Sequence, residues 1–229
     1  MGKYRLTVAG LGPGAPGLVT RETWDRIATA RHIILRTRIH PTVEALDAAG
    51  ISYESYDDFY ETAANFEELY ARIAGDLLQR AAQEEILYLV PGSPFVAERT
   101  VHLLRAWTHA GEDVKILPAM SFLEPLFAVL GLDPVHGLSI VDAADEDRIA
   151  EGLRGDTIVT QVYAREIASN LKLLLMEHME DTREVYYLHH LCLPDERIAR
   201  IALFELDRQE DTDHLTSLFI PDTPLFWEK

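Results

Sequence analysis

Residues 5–15 read RLTVAGLGPGA, an apolar run that leads directly into a turn of glycines and proline. The run Arg5–Ala9 is short and mostly apolar or β-branched, which indicates a buried strand. The turn Gly10-Leu11-Gly12-Pro13-Gly14-Ala15 satisfies the G-x-G-x-x-G/A pattern that connects a strand to a phosphate-binding helix. A strand followed by such a turn predicts the first unit of an α/β fold.

The glycine-rich turn fits more than one function. A dinucleotide site needs a helix that begins at once, so that its first amide groups face the pyrophosphate. Here Pro16, Gly17 and the expected N-cap Thr20 delay the helix, and the second strand ends at Arg36 without an acidic ribose ligand. Two alternatives stay open at this point, a nicotinamide dinucleotide site and a tight turn without a ligand.

Strand and helix patterns alternate along the chain. Short apolar runs predict strands at Arg5–Ala9, His32–Leu35, Ile86–Val90, Val114–Leu117, Leu138–Val141, Thr157–Val162, Val185–His189, Ile201–Leu206 and Leu215–Ile220. Helical periodicity predicts helices at Glu22–Ala30, Phe66–Ala82, Val96–Ala110, Ser121–Leu130 and Arg165–Met179, with Thr20 as an N-cap and Gly111 and Gly131 as C-terminal stops. Repeated strand–helix units predict a mostly parallel sheet.

The pattern changes in the last third of the chain. The final three predicted strands follow each other through connections too short for crossover helices, so we expect them to be antiparallel. The predicted fold is therefore α/β with two lobes, a mostly parallel N-terminal lobe at 1–113 and a mixed C-terminal lobe at 118–229. The seam falls near Gly111 to Pro118, and we expect a ligand in the cleft between the lobes.

Two further strand ends carry proline and small residues. Residues 88–96 read YLVPGSPFV, a turn that exposes backbone amides and carbonyls at the edge where α/β sheets bind ligands. Residues 116–122 read ILPAMSF and repeat the order of strand, proline, small residue and helix start. Ser121 also has a simpler explanation as a helix N-cap.

Taken in order, GLGPGAPGLVT, PGSP and PAMS resemble the motifs of the tetrapyrrole (corrin and porphyrin) methylase superfamily. Its members carry a G-x-G-P-G-x-x-x-L-x-T opening, a central P-G-D-P loop and a later P-G-x-S turn. The sequence LGL at 130–132, and LCLPDE at 191–196 before LFEL at 203–206, extend the likeness over nearly the whole chain.

The resemblance implies two α/β lobes that bind S-adenosylmethionine in the cleft, usually within a homodimer. The cofactor contacts that it implies are Pro13, Gly92, Ser93, Val96, Ser121, Phe122, Val162, Tyr163, His190 and Leu191. Carbonyl oxygens and apolar walls suit a sulfonium cofactor, which supplies the chemistry itself. The protein would mainly orient an acceptor for in-line attack, and we assign no catalytic residue.

Two positions depart from the family pattern. Ser93 stands where the family has an aspartate, and Ala119 where it has a glycine. Ser93 forms hydrogen bonds but supplies no negative charge near a cationic cofactor, which favours a non-catalytic binding module as an alternative. Tetrapyrrole substrates carry many carboxylates, so their binding requires a local basic patch, for which the candidates are Arg21, Arg36, Arg38 and His40.

The variant central loop and the ending LTSLFIP at 215–221 look most like one branch of the superfamily. In that branch a bacterial (YabN-like) protein joins the methylase-like domain to a MazG-type nucleotide pyrophosphohydrolase. The chain ends at Lys229, just after the point where such a fusion would continue. We therefore expect an isolated domain or part of a longer protein, with a MazG-type domain as a candidate partner.

Charge and cysteine content exclude several classes of function. The chain has 21 Lys plus Arg against 38 Asp plus Glu, a net charge of −17, which disfavours binding to nucleic acid and to anionic membranes. Cys192 is the only cysteine, so no intrachain disulfide forms and we expect a cytoplasmic location. We expect neither a signal peptide nor a membrane span, because the apolar runs are too short.

Histidines and acidic residues outside these motifs have simpler explanations. His189, His190 and Cys192 suggest a transition-metal site, but neighbouring residues on a strand point to opposite faces, so we predict no metal there. Acidic stretches are a solvated surface or, as the alternative, a magnesium site. They lie at 57–58, 67–68, 142–147 and 205–213.

Aromatic side chains suggest two further roles. They could stack on a flat acceptor, or equally form core or dimer contacts; the set is Tyr53, Tyr56, Phe59, Tyr60 and Phe66. Tyr163 and Tyr187 could accept a proton, but a phenol with an ordinary pKa near ~10 is a poor base.

Three functions therefore stand as hypotheses. The first is an S-adenosylmethionine-dependent methyltransferase with a tetrapyrrole-like or other small acceptor. The second is a non-catalytic ligand-binding module associated with a MazG-type pyrophosphohydrolase. The third is a nicotinamide-dependent oxidoreductase.

Overall fold

The computed structural model describes residues 5–108 and 114–223. The chain divides into two compact units, Met1–Glu124 and Pro125–Lys229. The first lobe expected from sequence, 1–113, ends 11 residues before the first unit does, and the second, 118–229, begins 7 residues before the second unit. Residues 109–113 lie outside the described ranges. Each unit contains one five-stranded sheet.

The first unit alternates strands with helices. Its strands are β1 (Leu6–Gly10), β2 (Ile33–Leu35), β3 (Glu54–Ser55), β4 (Ile86–Val90) and β5 (Val114–Ile116). Its helices are α1 (Arg21–Thr29), α2 (Val43–Ala48), α3 (Asp57–Thr62), α4 (Phe66–Ala81) and α5 (Arg99–Trp107), with a 3-10 turn at Pro16–Leu18. The strand order is β3-β2-β4-β1-β5 and every pairing is parallel, which confirms the predicted parallel sheet.

Helices cover both faces of this sheet. Ile86, Tyr88 and Val90 of β4 pack in a core with α4 and α5. Leu87 and Leu89 of the same strand pack in a second core with α1 and α2. Because successive side chains of a strand point to opposite faces, a strand covered on both sides is apolar at every position.

The second unit contains a mixed sheet. Its strands are β6 (Ser139–Asp142), β7 (Thr157–Thr160), β8 (Glu184–His189), β9 (Arg197–Ala202) and β10 (Thr216–Ile220). Its helices are α6 (Leu123–Leu130), which begins just before the unit boundary, α7 (Glu146–Ala150) and α8 (Arg165–Met176), with 3-10 turns at Pro134–His136 and Leu203–Arg208. In the order β6-β7-β10-β8-β9 only β6 and β7 are parallel, which confirms the expected antiparallel ending.

One predicted strand, Ile201–Leu206, is wrong over most of its length. The strand there is β9, which ends at Ala202, and Leu203–Arg208 forms a 3-10 helix. Leu203 and Leu206 are both buried, and side chains three residues apart share one face of a 3-10 helix. The Glu205 carboxylate accepts a hydrogen bond from the Ala202 amide at 3.2 Å and closes the first turn.

Helix ends follow the expected capping rules in most places. Thr20 Oγ1 accepts a hydrogen bond from the Thr23 amide at 3.1 Å, and Gly131 follows α6 with a φ of 57°, so both predicted caps are confirmed. The predicted helix Val96–Ala110 begins late, at α5, because Ala97 has a φ of 52°, which no right-handed helix permits. Its predicted end and the stop at Gly111 lie outside the described residues.

Several short elements have no strong sequence signal. β3, α2, α3 and α7 are each six residues or fewer, and the sequence patterns did not predict them. Short elements rely on tertiary packing and not on local propensity. Among the helices of the described ranges, none is long and apolar enough to cross a bilayer.

The centre of the second sheet offers a test of its packing. Leu218 of β10 is fully buried between β7 and β8, so Leu218→Ala should lower the free energy of unfolding by about 2–5 kcal/mol. Leu173→Ala on α8, where the side chain is 58% exposed, should change it by less than about 0.5 kcal/mol. Urea unfolding followed by far-ultraviolet circular dichroism measures both, and equal losses would contradict this sheet order.

Candidate functional site

The three proline-containing junctions meet at the carboxyl edge of the first sheet. A Cβ atom placed on Gly10, at the end of β1, would lie 2.2 Å from the Gly92 carbonyl oxygen and 2.6 Å from Ala119 Cβ. It would also lie 3.0 Å from Pro94 Cδ. Only a residue without a side chain permits this approach, so Gly10 is required for packing.

Backbone hydrogen bonds join the first two junctions. Gly12 and Gly92 form an isolated antiparallel bridge, in which the Gly12 amide donates to Gly92 O at 3.2 Å and the Gly92 amide to Gly12 O at 2.9 Å. The Leu11 amide donates to Val90 O at 2.8 Å. These amides are therefore engaged within the protein and do not form a cradle for a phosphate group.

A buried threonine fixes the glycine-rich loop through hydrogen bonds to its carbonyl groups. Thr42 is fully buried, and its hydroxyl lies 3.0 Å from Leu11 O and 2.9 Å from Gly14 O. Pro13, between these two carbonyls, is buried as well. The sequence patterns did not single out Thr42, because its hydroxyl reaches the loop across about thirty residues of chain, a separation that carries no local signal.

The central loop presents its backbone to open space. Gly92 has a φ of 63°, and a Cβ atom built there would have no atom within 4 Å. Ser93 is buried, and its hydroxyl oxygen accepts a hydrogen bond from the Phe95 amide at 3.3 Å. The Val96 amide donates to Ser93 O at 3.1 Å. The loop is thus held by its own hydrogen bonds while one side of Gly92 stays accessible.

Ser121 is the start of a capping box. Its hydroxyl oxygen accepts a hydrogen bond from the Leu123 amide at 3.1 Å, and the Glu124 carboxylate accepts one from the Ser121 amide at 2.8 Å. The Ser121 hydroxyl also donates to Glu124 at 2.8 Å. The simpler explanation of Ser121 as a helix cap is therefore confirmed, whereas its contact with a cofactor, like that of Phe122, stays a prediction.

The four predicted contacts of the second unit lie along one sheet edge. Val162 and Tyr163 follow β7, and His190 and Leu191 follow β8. β7 and β8 run in the same direction because both pair antiparallel with β10, so both pairs of residues are at the carboxyl edge. Val162 and Leu191 are buried, whereas Tyr163 is 43% exposed.

Unusual backbone conformations concentrate at these junctions. Within residues 5–108 and 114–223, the non-glycine residues with positive φ are Ala97 (52°), Gln161 (63°), His190 (52°) and Cys192 (66°). Each is a predicted cofactor contact or the neighbour of one. Such conformations cost about 1–3 kcal/mol each and cluster at functional sites, so they support these strand ends as a ligand site.

A buried ion pair lies beside the central loop. Arg36 Nη1 is 2.9 Å from Glu98 Oε2, and only 1% of the Glu98 side chain is exposed. The other Glu98 oxygen accepts hydrogen bonds from the amide and the hydroxyl of Thr100. Burial alone would lower the pKa of Arg36, but the Glu98 carboxylate and nearby phenols outweigh it and raise the Arg36 pKa above its ordinary value.

Comparison with known proteins identifies the family. Residues 5–207 match the family Tetrapyrrole (Corrin/Porphyrin) Methylases. The chain belongs to this family. It is also 38% identical over 218 residues to the uncharacterized protein YabN of Bacillus subtilis (strain 168), a match that covers 95% of this chain and 45% of YabN. The chain therefore spans less than half the length of this relative.

Solved structures of tetrapyrrole methylases share the fold. The methyltransferase CobJ matches with a TM-score of 0.67 at 21% identity, covering 94% of this chain and 93% of CobJ. Uroporphyrin-III C-methyltransferase from Thermus thermophilus, complexed with S-adenosyl homocysteine, matches with a TM-score of 0.65 at 19% identity, covering 95% of this chain and 92% of that one. At these identities the likeness establishes the α/β fold alone.

The arginines suggested as a basic patch are paired with carboxylates in this member of the family. Arg36 pairs with Glu98, and Arg38 Nε lies 3.3 Å from Asp57 Oδ2. Arg21, on the exposed face of α1, lies 3.3 Å from an aspartate one turn away. Charge pairing cancels most of the field that a polycarboxylate would need, so the expected patch is not formed by these arginines.

The aromatic residues mostly belong to the core. Tyr56 is buried, donates a hydrogen bond to Asp76 Oδ2 at 2.7 Å and packs 5.0 Å from the Phe59 ring. Tyr60 packs against the same core. The core interpretation is therefore confirmed for these three side chains.

Tyr187 is unsuited to act as a base. Its hydroxyl donates to Asp211 at 3.0 Å, and burial raises its pKa. A phenol whose pKa is raised gives up its proton less readily than an ordinary one.

The expected opposition of His189 and His190 is wrong. β8 ends at His189, and the positive φ of His190 turns its imidazole to the same side, so that the ring centroids lie 3.7 Å apart. The alternation of side chains holds only within a strand. The argument against a shared metal site therefore fails.

The contact at Gly10 predicts a steric effect on stability. Gly10→Ala places a methyl group against Gly92 O and Ala119 Cβ, so the free energy of unfolding should fall by about 1–3 kcal/mol. Gly17→Ala in the same loop meets no atom within 4 Å and should change it by less than about 0.5 kcal/mol. Thermal or urea unfolding measures the difference; wild-type stability of Gly10→Ala would refute the close approach.

Proposed function

We propose that this chain binds S-adenosylmethionine at the carboxyl edge of its parallel sheet and acts as a methyltransferase on a small acceptor. The observation that carries the proposal is the convergence of Gly10, Gly92 and Ala119, one from each family motif, at that edge. Open α/β sheets bind ligands at the carboxyl ends of their strands. The complex of a same-fold uroporphyrin-III C-methyltransferase with S-adenosyl homocysteine supports the choice of cofactor.

The shape and chemistry of the central loop fit such a cofactor. Gly92 offers an open approach to its backbone, which a side chain would fill. The loop amides of Leu11, Gly12 and Gly92 are already bonded within the protein, so they are not free to bind an anionic group of a ligand. A sulfonium cation suits this loop better than a phosphate does, which also disfavours a nicotinamide dinucleotide.

The residues of the chain would hold and orient the reactants. S-adenosylmethionine supplies an electrophilic methyl group when bound, so the reaction requires no nucleophile from the protein. Gly92 and Ser93 would position the cofactor, and the fixed loop would reduce the entropy lost on reaching an in-line geometry. From the family resemblance, the further proposed contacts are Pro13, Val96, Ser121, Phe122 and the four positions of the second unit.

The paired arginines favour an acceptor with few carboxylates. Arg36 and Arg38 each lie beside a carboxylate, and the chain carries a net charge of −17. A macrocycle with many carboxylates would meet net repulsion at such a surface. We therefore propose a neutral or cationic small acceptor.

Two proposals on assembly follow from the family and not from the geometry. We propose a homodimer, which light scattering on the purified chain tests. The likeness to YabN over 45% of its length supports a further domain or partner, for which we propose a MazG-type nucleotide pyrophosphohydrolase.

Calorimetric titration tests the cofactor site. S-adenosylmethionine and S-adenosylhomocysteine should both bind saturably to the wild-type chain, and Gly92→Arg should abolish this binding because its side chain fills the open approach. Gly50→Arg is the matched control, since Gly50 also has a positive φ, of 69°, and open space around its Cβ position. This control should bind like the wild type.

The outcomes separate the remaining functions. Binding followed by release of S-adenosylhomocysteine with a neutral or cationic acceptor supports a methyltransferase. Binding without turnover across a panel of acceptors of every charge indicates a non-catalytic module, in keeping with Ser93 in place of aspartate. Absence of binding, or equal binding by wild type and Gly92→Arg, would refute the proposed cofactor site.

A further inference from the structure

Histidines and aspartates gather at the end of β8, within the second unit. The stacked imidazoles of His189 and His190 are inclined by only 16°. One ligand atom from each of His189, His190 and Asp213 lies within 4.8 Å of the others. Two imidazoles and a carboxylate form a donor set that suits first-row transition metals better than magnesium or calcium.

Each of the two histidines turns its Nε2 atom to Asp213 and its Nδ1 atom to another aspartate. His190 Nε2 lies 2.9 Å from Asp213 Oδ2, and His189 Nε2 lies 3.4 Å from Asp213 Oδ1. The Nδ1 atoms face two other carboxylates, Asp195 at 2.7 Å from His190 and Asp211 at 3.6 Å from His189. Metal-binding histidines characteristically turn their second nitrogen to a carboxylate, which fixes the tautomer and the ring orientation.

His189 supplies an independent sign of a ligand. Only 7% of its side chain is exposed, and within the described part of the chain its buried Nε2 has no hydrogen-bond partner. The nearby Asp213 oxygen is within ion-pair range of this nitrogen but does not form a hydrogen bond with it. Buried polar atoms are normally satisfied, so this nitrogen lacks an interaction that a metal ion would provide.

We propose that His189 Nε2, His190 Nε2 and Asp213 bind one divalent transition-metal ion such as Zn²⁺. Zinc bonds of ~2.0–2.1 Å place tetrahedral ligand atoms about 3.3 Å apart. The Asp213 oxygens already lie 2.9 Å from His190 Nε2 and 3.4 Å from His189 Nε2. Asp213 is 36% exposed and His190 19%, which lets the ion enter and water complete its coordination.

The surroundings of Asp211 support a prepared site. Arg197 Nη1 donates to both Asp211 oxygens, at 2.8 and 2.9 Å, and the Tyr187 hydroxyl donates to one of them at 3.0 Å. Asp211 is therefore held in place beside His189. A fixed outer carboxylate orients the imidazole before the metal arrives.

The test is titration of the chelator-treated, dialysed chain with ZnCl₂ and CoCl₂, followed by calorimetry and by visible absorption. We expect one ion per chain and a cobalt ligand-field band from tetrahedral coordination. Asp213→Asn and His189→Gln should lose saturable binding. Asp211→Asn should keep the stoichiometry but raise Kd about 10–100-fold, as expected for an outer carboxylate.

His102→Gln is the control, because His102 is an exposed histidine on α5, in the other unit. It should bind zinc like the wild type. Circular dichroism of the metal-free variants checks that they fold. If Asp213→Asn fails to fold, Asp211→Asn still tests the proposal. No binding, or weak binding at several sites that none of these substitutions changes, overturns the proposal. The experiment uses no S-adenosylmethionine, so its result is independent of the proposed methyltransferase activity.

Discussion

The close contact between the end of β1 and the central loop is the constraint on which the first unit depends. The Gly92 carbonyl occupies the space that a side chain at Gly10 would need. This approach allows Gly12 and Gly92 to form their paired hydrogen bonds, and Thr42 then holds the glycine-rich loop from its buried side. Gly92 itself stays open, with no atom within 4 Å of its Cβ position.

Strained backbone conformations occur in each of the two units. Ala97 stands beside the central loop of the first unit, and Gln161, His190 and Cys192 stand at the strand ends of the second. Packing usually selects relaxed conformations, so strained ones persist where surrounding contacts impose them. They lie next to or at the proposed cofactor contacts in both units, which fits the proposal that these turns bind a ligand.

Ion pairs between neighbouring side chains set the local charge of each unit more than the net charge of the chain does. The chain is strongly acidic, yet Arg36 and Arg38 are each matched to one carboxylate beside the first sheet. In the second unit three carboxylates, those of Asp195, Asp211 and Asp213, surround two histidines. Partial burial alone would lower the pKa of His190, but Asp213 and Asp195 raise it above its ordinary value. Such a carboxylate-rich cluster favours a cation.

The sequence by itself determined the family, the parallel first sheet and the antiparallel ending. These features depend on local patterns, namely apolar runs such as Ile86–Val90, the glycine and proline turns, and caps such as Thr20. Where local patterns were ambiguous they misled. Residues 203–206 belong to the predicted strand Ile201–Leu206, but their buried leucines fit a 3-10 helix equally well.

Only the tertiary structure decided which side chains meet. Thr42 reaches Leu11, Glu98 pairs with Arg36, and Asp213 faces His189 and His190 across tens of residues of chain. No periodicity encodes such contacts, because they arise when separate elements pack. The direction of a side chain beyond a strand end is likewise set by φ, as His190 shows, and φ at such a turn is imposed by the fold around it.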